Sequence, residues 1–175
     1  MAAISQTQGQ TDFCTYLEHY SHSTRIVLIA HNGDKFDFPV LINALERNNL
    51  LSVFLSINVL LLDSLTIVSK EMKQKDSPLQ SCKRKSLSDL DQCLIKEMFD
   101  AHDAMEDTAA LSQVLFQSPL KVKPEKLIEK SSQAAAFIEE MKSSQEARSR
   151  KTTLHQLPVS EGMKEKLEKA GLDLT

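Results

Sequence analysis

Ile26-Val-Leu-Ile-Ala-His-Asn-Gly-Asp-Lys-Phe-Asp-Phe-Pro-Val-Leu-Ile-Asn-Ala-Leu45 reads as a strand that gives way to a helix. Ile26 to Ala30 is a short, unbroken apolar run with β-branched residues, the pattern of a strand covered on both faces of a sheet. It is therefore expected to be a core strand. His31-Asn32-Gly33-Asp34 supplies turn chemistry, and Phe38, Leu41, Ile42 and Leu45 then recur at helical spacing, with Pro39 tolerated in the first turn. The polar cluster falls where the strand ends and the helix begins, which is where ligands bind in open α/β sheets. Asp37 is a candidate site carboxylate on that position; the plainer alternative is that Asp34 or Asp37 only caps the helix.

Outward from this stretch, residues 1–10 are rich in Gln, Thr and Ser and read as a disordered leader. Thr11-Asp12 is placed to cap a helix with Phe13, Leu17 and Tyr20 on its apolar stripe. Beyond the Pro39 helix, Leu50 to Ile57 has no decisive period, and Asn58 to Asp63 reads as a second buried strand. Two parallel strands joined by a helix are the simplest assembly. Leu65 to Lys73 continues as a helix. Lys73 to Lys85 is then a polar, lysine-rich loop, read first as solvated surface and second as a phosphate-facing patch. Ser86 and Asp89 have capping-box spacing and open a helix through Leu87, Leu90, Leu94 and Met98.

A second polar cluster follows a short loop at Phe99-Asp100-Ala101. His102 precedes a helix and Asp107 lies one to two turns inside it, with Ala104, Leu111, Val114 and Leu115 available to a core. This spacing lets an imidazole and a carboxylate share one cleft, the carboxylate to bind a cation and the histidine to take a proton from water. Acidic residues near a helix start are also favoured by the helix dipole in any protein.

Composition bounds the function without choosing it. A formal charge of −3 and a pI near 6.0 argue against a globally basic nucleic-acid binder, although bound cations and a local patch would suffice for a nuclease. Cys14, Cys82 and Cys93 show no CxxC spacing and read as reduced thiols of an intracellular protein, nuclear or cytoplasmic. No apolar run reaches membrane-spanning length, and the N-terminus has no signal pattern, so a soluble chain is expected. Residues 118–123 form a Pro- and Lys-containing linker. Glu125 to Arg148 reads as one long polar helix, and Leu154 to Leu174 as a second helical segment with Gly171 as its stop.

Taken together, His31-Asn-Gly-Asp-Lys-Phe-Asp-Phe-Pro39 and His102-x-Ala104-x-x-Asp107, with Leu62-Asp63-Ser64-Leu65 between them, resemble the second and third motifs of DEDDh-type 3′→5′ exonucleases. The three-prime repair exonucleases and the exonuclease-like C-terminal domain of a promyelocytic leukaemia protein isoform are the nearest in pattern. The resemblance covers residues 12 to 117. It implies that Asp37 and Asp107 bind metal, that His102 is the general base, and that His31, Asn32 and Lys35 contact substrate. The implied cofactors are two Mg²⁺ or Mn²⁺ ions, and the implied substrate is single-stranded DNA, or the 3′ end of DNA or RNA.

One family feature is missing. Family members carry Asp-x-Glu on an opening strand, and this chain has none before residue 26; its acidic residues there are Asp12 and Glu18. The resemblance therefore implies an incomplete ribonuclease H-like α/β fold: about two parallel core strands flanked by helices, the first three strands missing, and a helical C-terminal extension. The implied organisation is a leader at 1–10, a partial exonuclease domain at 11–117, a linker at 118–123 and the extension at 124–175. Asp34, Asp63 and Asp103 have no spacing that makes them substitutes for the absent carboxylates. Impaired hydrolysis is expected of this chain. The alternative is a non-catalytic interaction domain that binds a protein partner through the C-terminal helices.

Overall fold

The computed structural model describes residues 5–95 and 103–156, with side chains described to residue 149. Helix α1 spans Gln6–Ser21. It begins five residues earlier than the Thr11 cap, because Ser5 supplies the cap instead: its Oγ accepts the Gln8 N–H at 3.1 Å. Thr7 Oγ1 donates to Asn48 Oδ1 and the Asn48 amide donates to Gln10 Oε1, fixing the first turns of α1 where a leader was expected.

β1 (Val27–Ala30) leads into α2 (Asp37–Arg47), α3 (Leu51–Ser56) and β2 (Leu60–Asp63). The stretch without a decisive period is thus α3, held by Phe54, which is fully buried. β1 and β2 are parallel, with Val27 opposite Leu60 and Ala30 opposite Asp63. The sheet order is β1-β2-β3, where β3 is the two-residue Ser132–Gln133, antiparallel to β2.

Two expectations change here. β2 is the central strand and all four of its residues are buried, whereas β1 is an edge whose four residues are only half-buried. An apolar run reports burial without saying which strand lies at the centre. The long helix from Glu125 is broken: α7 runs Pro124–Lys130, the chain extends through β3, and α8 resumes over Ala134–Gln156. The Ala134 N–H donates to Val59 O at 3.2 Å, so the break supplies β2 with partners on its second edge.

α4 (Ser64–Glu71) follows β2 directly, and a 3₁₀ turn at Pro78–Ser81 interrupts the polar loop. α5 (Leu87–Leu94) and α6 (Ala104–Ser112) come next, α6 running into a π-helical turn at Gln113–Gln117. Met98 and the 99–101 loop lie outside the described residues. One apolar cluster joins Leu62, Ile67, Leu115, Val122 and Leu127. A second joins Val68, Leu79, Cys82, Leu90 and Val114. Val122 and Leu127 place the expected linker and the start of the extension in the same core as β2, and Lys126 pairs with Glu71 of α4. The chain divides into compact units at 1–134 and 135–175.

The cysteine reading is also corrected. Cys82 and Cys93 form a disulfide, with Cα atoms 5.8 Å apart, and Cys14 is free and buried. Their separation of 11 residues has no recognisable spacing, but the turn at Pro78–Ser81 and helix α5 bring them face to face. Among the described residues, no helix is long and apolar enough to cross a membrane.

Candidate functional site

The turn that follows β1 is held from beneath by one carboxylate. Asp63 ends β2 and is 8% exposed; its Oδ1 accepts the N–H groups of Asn32 (2.9 Å) and Leu65 (2.9 Å), and its Oδ2 accepts that of Asp34 (3.4 Å). It caps α4 and fixes the β1–α2 turn in one step, through charge-assisted hydrogen bonds. Asn32 adopts φ of 62°, a left-handed conformation that Asn tolerates at small cost. Gly33 is buried against Ala30 and Phe38, and its carbonyl accepts the Phe38 N–H at 3.0 Å to start α2.

This turn delivers Asp37 as the first residue of α2. The cap position belongs to Phe36, which makes no side-chain cap bond, so the Asp37 carboxylate is not spent on capping. On α6 the cap is Asp103, whose Oδ1 accepts from the N–H groups of Met105 and Glu106. Asp107 is released from that duty as well. No hydrogen bond to either carboxylate is found among the described residues.

Asp37 and Asp107 line one cavity of about 360 Å³. Its other walls are Ile29, Ala30 and His31 at the end of β1, Ser86, Leu87 and Ser88 at the start of α5, and Thr108 and Leu111 of α6. Residues remote in sequence thus meet beyond the C-terminal end of a parallel strand, the usual ligand position in an α/β sheet.

His31 shapes this cavity while its ring nitrogens are occupied. Nε2 lies 2.7 Å from the Lys85 carbonyl, which can only accept, so Nε2 carries a proton and donates; Nδ1 pairs with Ser64 Oγ at 2.8 Å. The ring ties the β1 end to α4 and to the segment before α5. Asn32 and Lys35 belong to the turn rather than to the cavity wall, with the Lys35 N–H donating to Asn32 O at 3.2 Å. His102 lies outside the described residues.

Ser88 and Thr108 carry no local signal and depend on how α5 and α6 pack, whereas Leu111, expected at a core, packs against the Leu62 cluster and also lines the cavity. Ser86 was legible only as a cap, and its Oγ does accept the Asp89 N–H at 3.3 Å. Asp63 was legible as a strand end, but its three bonds were not.

Two carboxylates are within what Mg²⁺ or Mn²⁺ accepts, since these ions retain several waters and use one or two protein carboxylates. Among the described residues no group of three His, Cys, Asp or Glu side chains is gathered for a metal, so those residues do not assemble a richer cluster.

A short sheet with a carboxylate-bearing cavity past its parallel strand end is the layout of an α/β ligand-binding or catalytic domain. Over 99 residues the chain is 36% identical to "Exonuclease DPD1, chloroplastic/mitochondrial" of Arabidopsis thaliana, a match that takes in 56% of this chain and 30% of that protein. The chain thus spans less than a third of that relative's length. No protein-family model matches.

Proposed function

We propose that this chain is a nuclease-type, nucleic-acid-processing domain of the DEDDh class. Its substrate is the 3′ end of DNA or RNA, entered as a single strand and hydrolysed in the 3′→5′ direction. One observation carries the reading: Asp37 of α2 and Asp107 of α6 line the same cavity at the end of β1. The partial similarity to an exonuclease supports it.

Asp37 and Asp107 would hold a divalent cation, Mg²⁺ or Mn²⁺. A bound cation supplies positive charge against the phosphodiester oxygens and lowers the barrier to attack by water. His102, next to the Asp103 cap in sequence, takes the proton of that water. His31 stiffens the wall through its bonds to Ser64 and Lys85, and the hydroxyl of Ser88 is a donor for phosphate oxygens, that of Ser86 being given to the Asp89 carboxylate. Asn32 and Lys35 approach the substrate from the β1–α2 turn.

The competing reading is a non-catalytic interaction domain, as in the promyelocytic leukaemia protein C-terminus, that binds a protein through its C-terminal helices. Among the described residues no third His, Cys, Asp or Glu joins Asp37 and Asp107 in a metal-holding group, which favours it. An end-labelled single-stranded oligonucleotide with Mg²⁺ or Mn²⁺ separates the two. Asp107→Ala and Asp37→Ala should each lose about 10²-fold or more in hydrolysis, the order expected when a metal ligand is removed. Hydrolysis by the unsubstituted chain no faster than by Asp107→Ala rejects the enzyme reading.

A further inference from the structure

Ser86 sits where regulation of the cavity would be most direct. It is exposed, caps α5 and lines the cavity with Asp37 and Asp107. Lys83, Arg84 and Lys85 immediately precede it, and they are the chain's only three consecutive cationic residues. All three are exposed. The backbone there is extended, with φ, ψ of −80°, 127° at Cys82 and −66°, 150° at Ser86. An exposed hydroxyl on an extended segment behind a cationic run is the charge pattern by which a basic-directed protein kinase selects its acceptor. Ser88 is the competing acceptor, but it is already the second residue of α5, in helical backbone.

We propose that Ser86 is a phosphorylation site for a basic-directed Ser/Thr protein kinase, and that its phosphate closes the cavity to anionic ligands. The second half rests on the nucleic-acid reading above. In the transfer, Ser86 Oγ bonds to the γ-phosphorus of ATP and the bond from that phosphorus to the β-phosphate oxygen breaks. ADP leaves with the electron pair, and the hydroxyl proton passes to the kinase's base.

The product fits its local setting. A phosphate carries roughly −1.5 to −2 charges and is favoured at a helix N-terminus. It gives up the present bond from the Ser86 hydroxyl to the Asp89 carboxylate, a like charge that has to turn away from it. On the cavity side it faces the wall that carries Asp37 and Asp107, so a third acidic group joins two carboxylates. Like charges around a site that must admit a phosphodiester strand repel it.

The full chain is incubated with ATP and a purified basic-directed kinase, and the acceptor is located by tandem mass spectrometry. One phosphate on Ser86 is expected, with incorporation falling about tenfold or more in Lys83→Glu/Arg84→Glu, since the cations are what the kinase reads. Phosphate on Ser88 instead, no incorporation, or an unchanged rate in the charge-reversed chain overturns the site. The cavity effect is read by anisotropy of a fluorescent single-stranded oligonucleotide with Mg²⁺, comparing Ser86→Asp with Ser86→Asn. Asp and Asn cap a helix about equally, so the pair differs in charge and not in capping. Ser86→Asp should bind about tenfold more weakly. Equal binding overturns the closing effect. If the unsubstituted chain binds no oligonucleotide, the nuclease reading and the closing effect both fail, and the mass spectrum still decides the modification.

Discussion

Gly33 is the residue at which the site is most sensitive to a single methyl group. A Cβ there would lie 2.7 Å from the Ala30 Cβ and 2.8 Å from a Phe38 ring carbon, inside contact distance on both sides. Gly33→Ala should therefore cost about 1–3 kcal/mol, the usual penalty of overpacking, read as a lower midpoint in urea. Gly9 is the control: it lies within α1 with nothing within 4 Å of its would-be Cβ, and Gly9→Ala should stabilise by roughly 0.5–1 kcal/mol. The sequence marked Gly33 as turn chemistry, but the clash depends on how the Phe38 ring folds back, which no local pattern shows. Cys14 carries a different prediction. Burial, and then the charge of Glu18, raise its thiol pKa above the ordinary 9.0. The unfolded chain then ionises first, so the stability that the neutral thiol contributes is present below pH 9.0 and falls as pH rises past it. Between about pH 8 and about pH 10 the unsubstituted chain should lose more stability to denaturant than Cys14→Ala does.

The disulfide and the broken helix show what elements add to residues. Cys82 closes the segment after the Pro78–Ser81 turn onto α5, and the loop it encloses contains the cavity residues Ser86, Leu87 and Ser88. For a loop of 11 residues the entropy lost by the unfolded chain is worth about 3 kcal/mol. Reduction should lower the unfolding free energy by about that amount, and reductant should change nothing further in Cys93→Ser. Cysteine spacing alone missed this pairing, because the two thiols meet through a turn and the last turn of α5. Strand and helix types were legible wherever the apolar period was strong: β1, β2, α2 and the Ser86-capped α5 all follow the pattern of their sequences. Position within the sheet was not legible. The run at Val27–Ala30 resembles that at Leu60–Asp63, and only the pairing of β3 to β2 makes one an edge and the other the centre. The break at Ser131–Gln133 was hidden for the same reason, since Ser and Gln carry little strand signal and are recruited by the open edge of β2. At the candidate site the order of motifs placed Asp37 and Asp107 on their helices, whereas the α5 wall required tertiary packing.

The charge balance of the whole chain decides how it can meet a polyanion. With 21 Lys and Arg against 24 Asp and Glu, the formal charge is −3, so long-range attraction to nucleic acid is absent and capture has to be local. The exposed cations nearest the cavity in sequence are Lys35, Lys83 and Arg84, while the Lys85 ammonium is already bonded to Ser69 Oγ at 3.0 Å. Three phosphate contacts to a single strand give a slope of about −2 in log K against log salt concentration, at roughly −0.7 per contact. At fixed Mg²⁺, titration of an oligonucleotide across a range of KCl should return that shallow slope. A slope steeper than about −5 would require an extended cationic tract, which the overall charge does not supply. Removal of divalent ions separates the two contributions, because Asp37 and Asp107 repel a phosphodiester unless a cation lies between them. With EDTA present, affinity should fall by about tenfold or more in the unsubstituted chain and by much less in Asp37→Ala/Asp107→Ala, where the repulsion and the cation site are lost together. An equal loss in both chains would place the cation dependence somewhere other than this cavity.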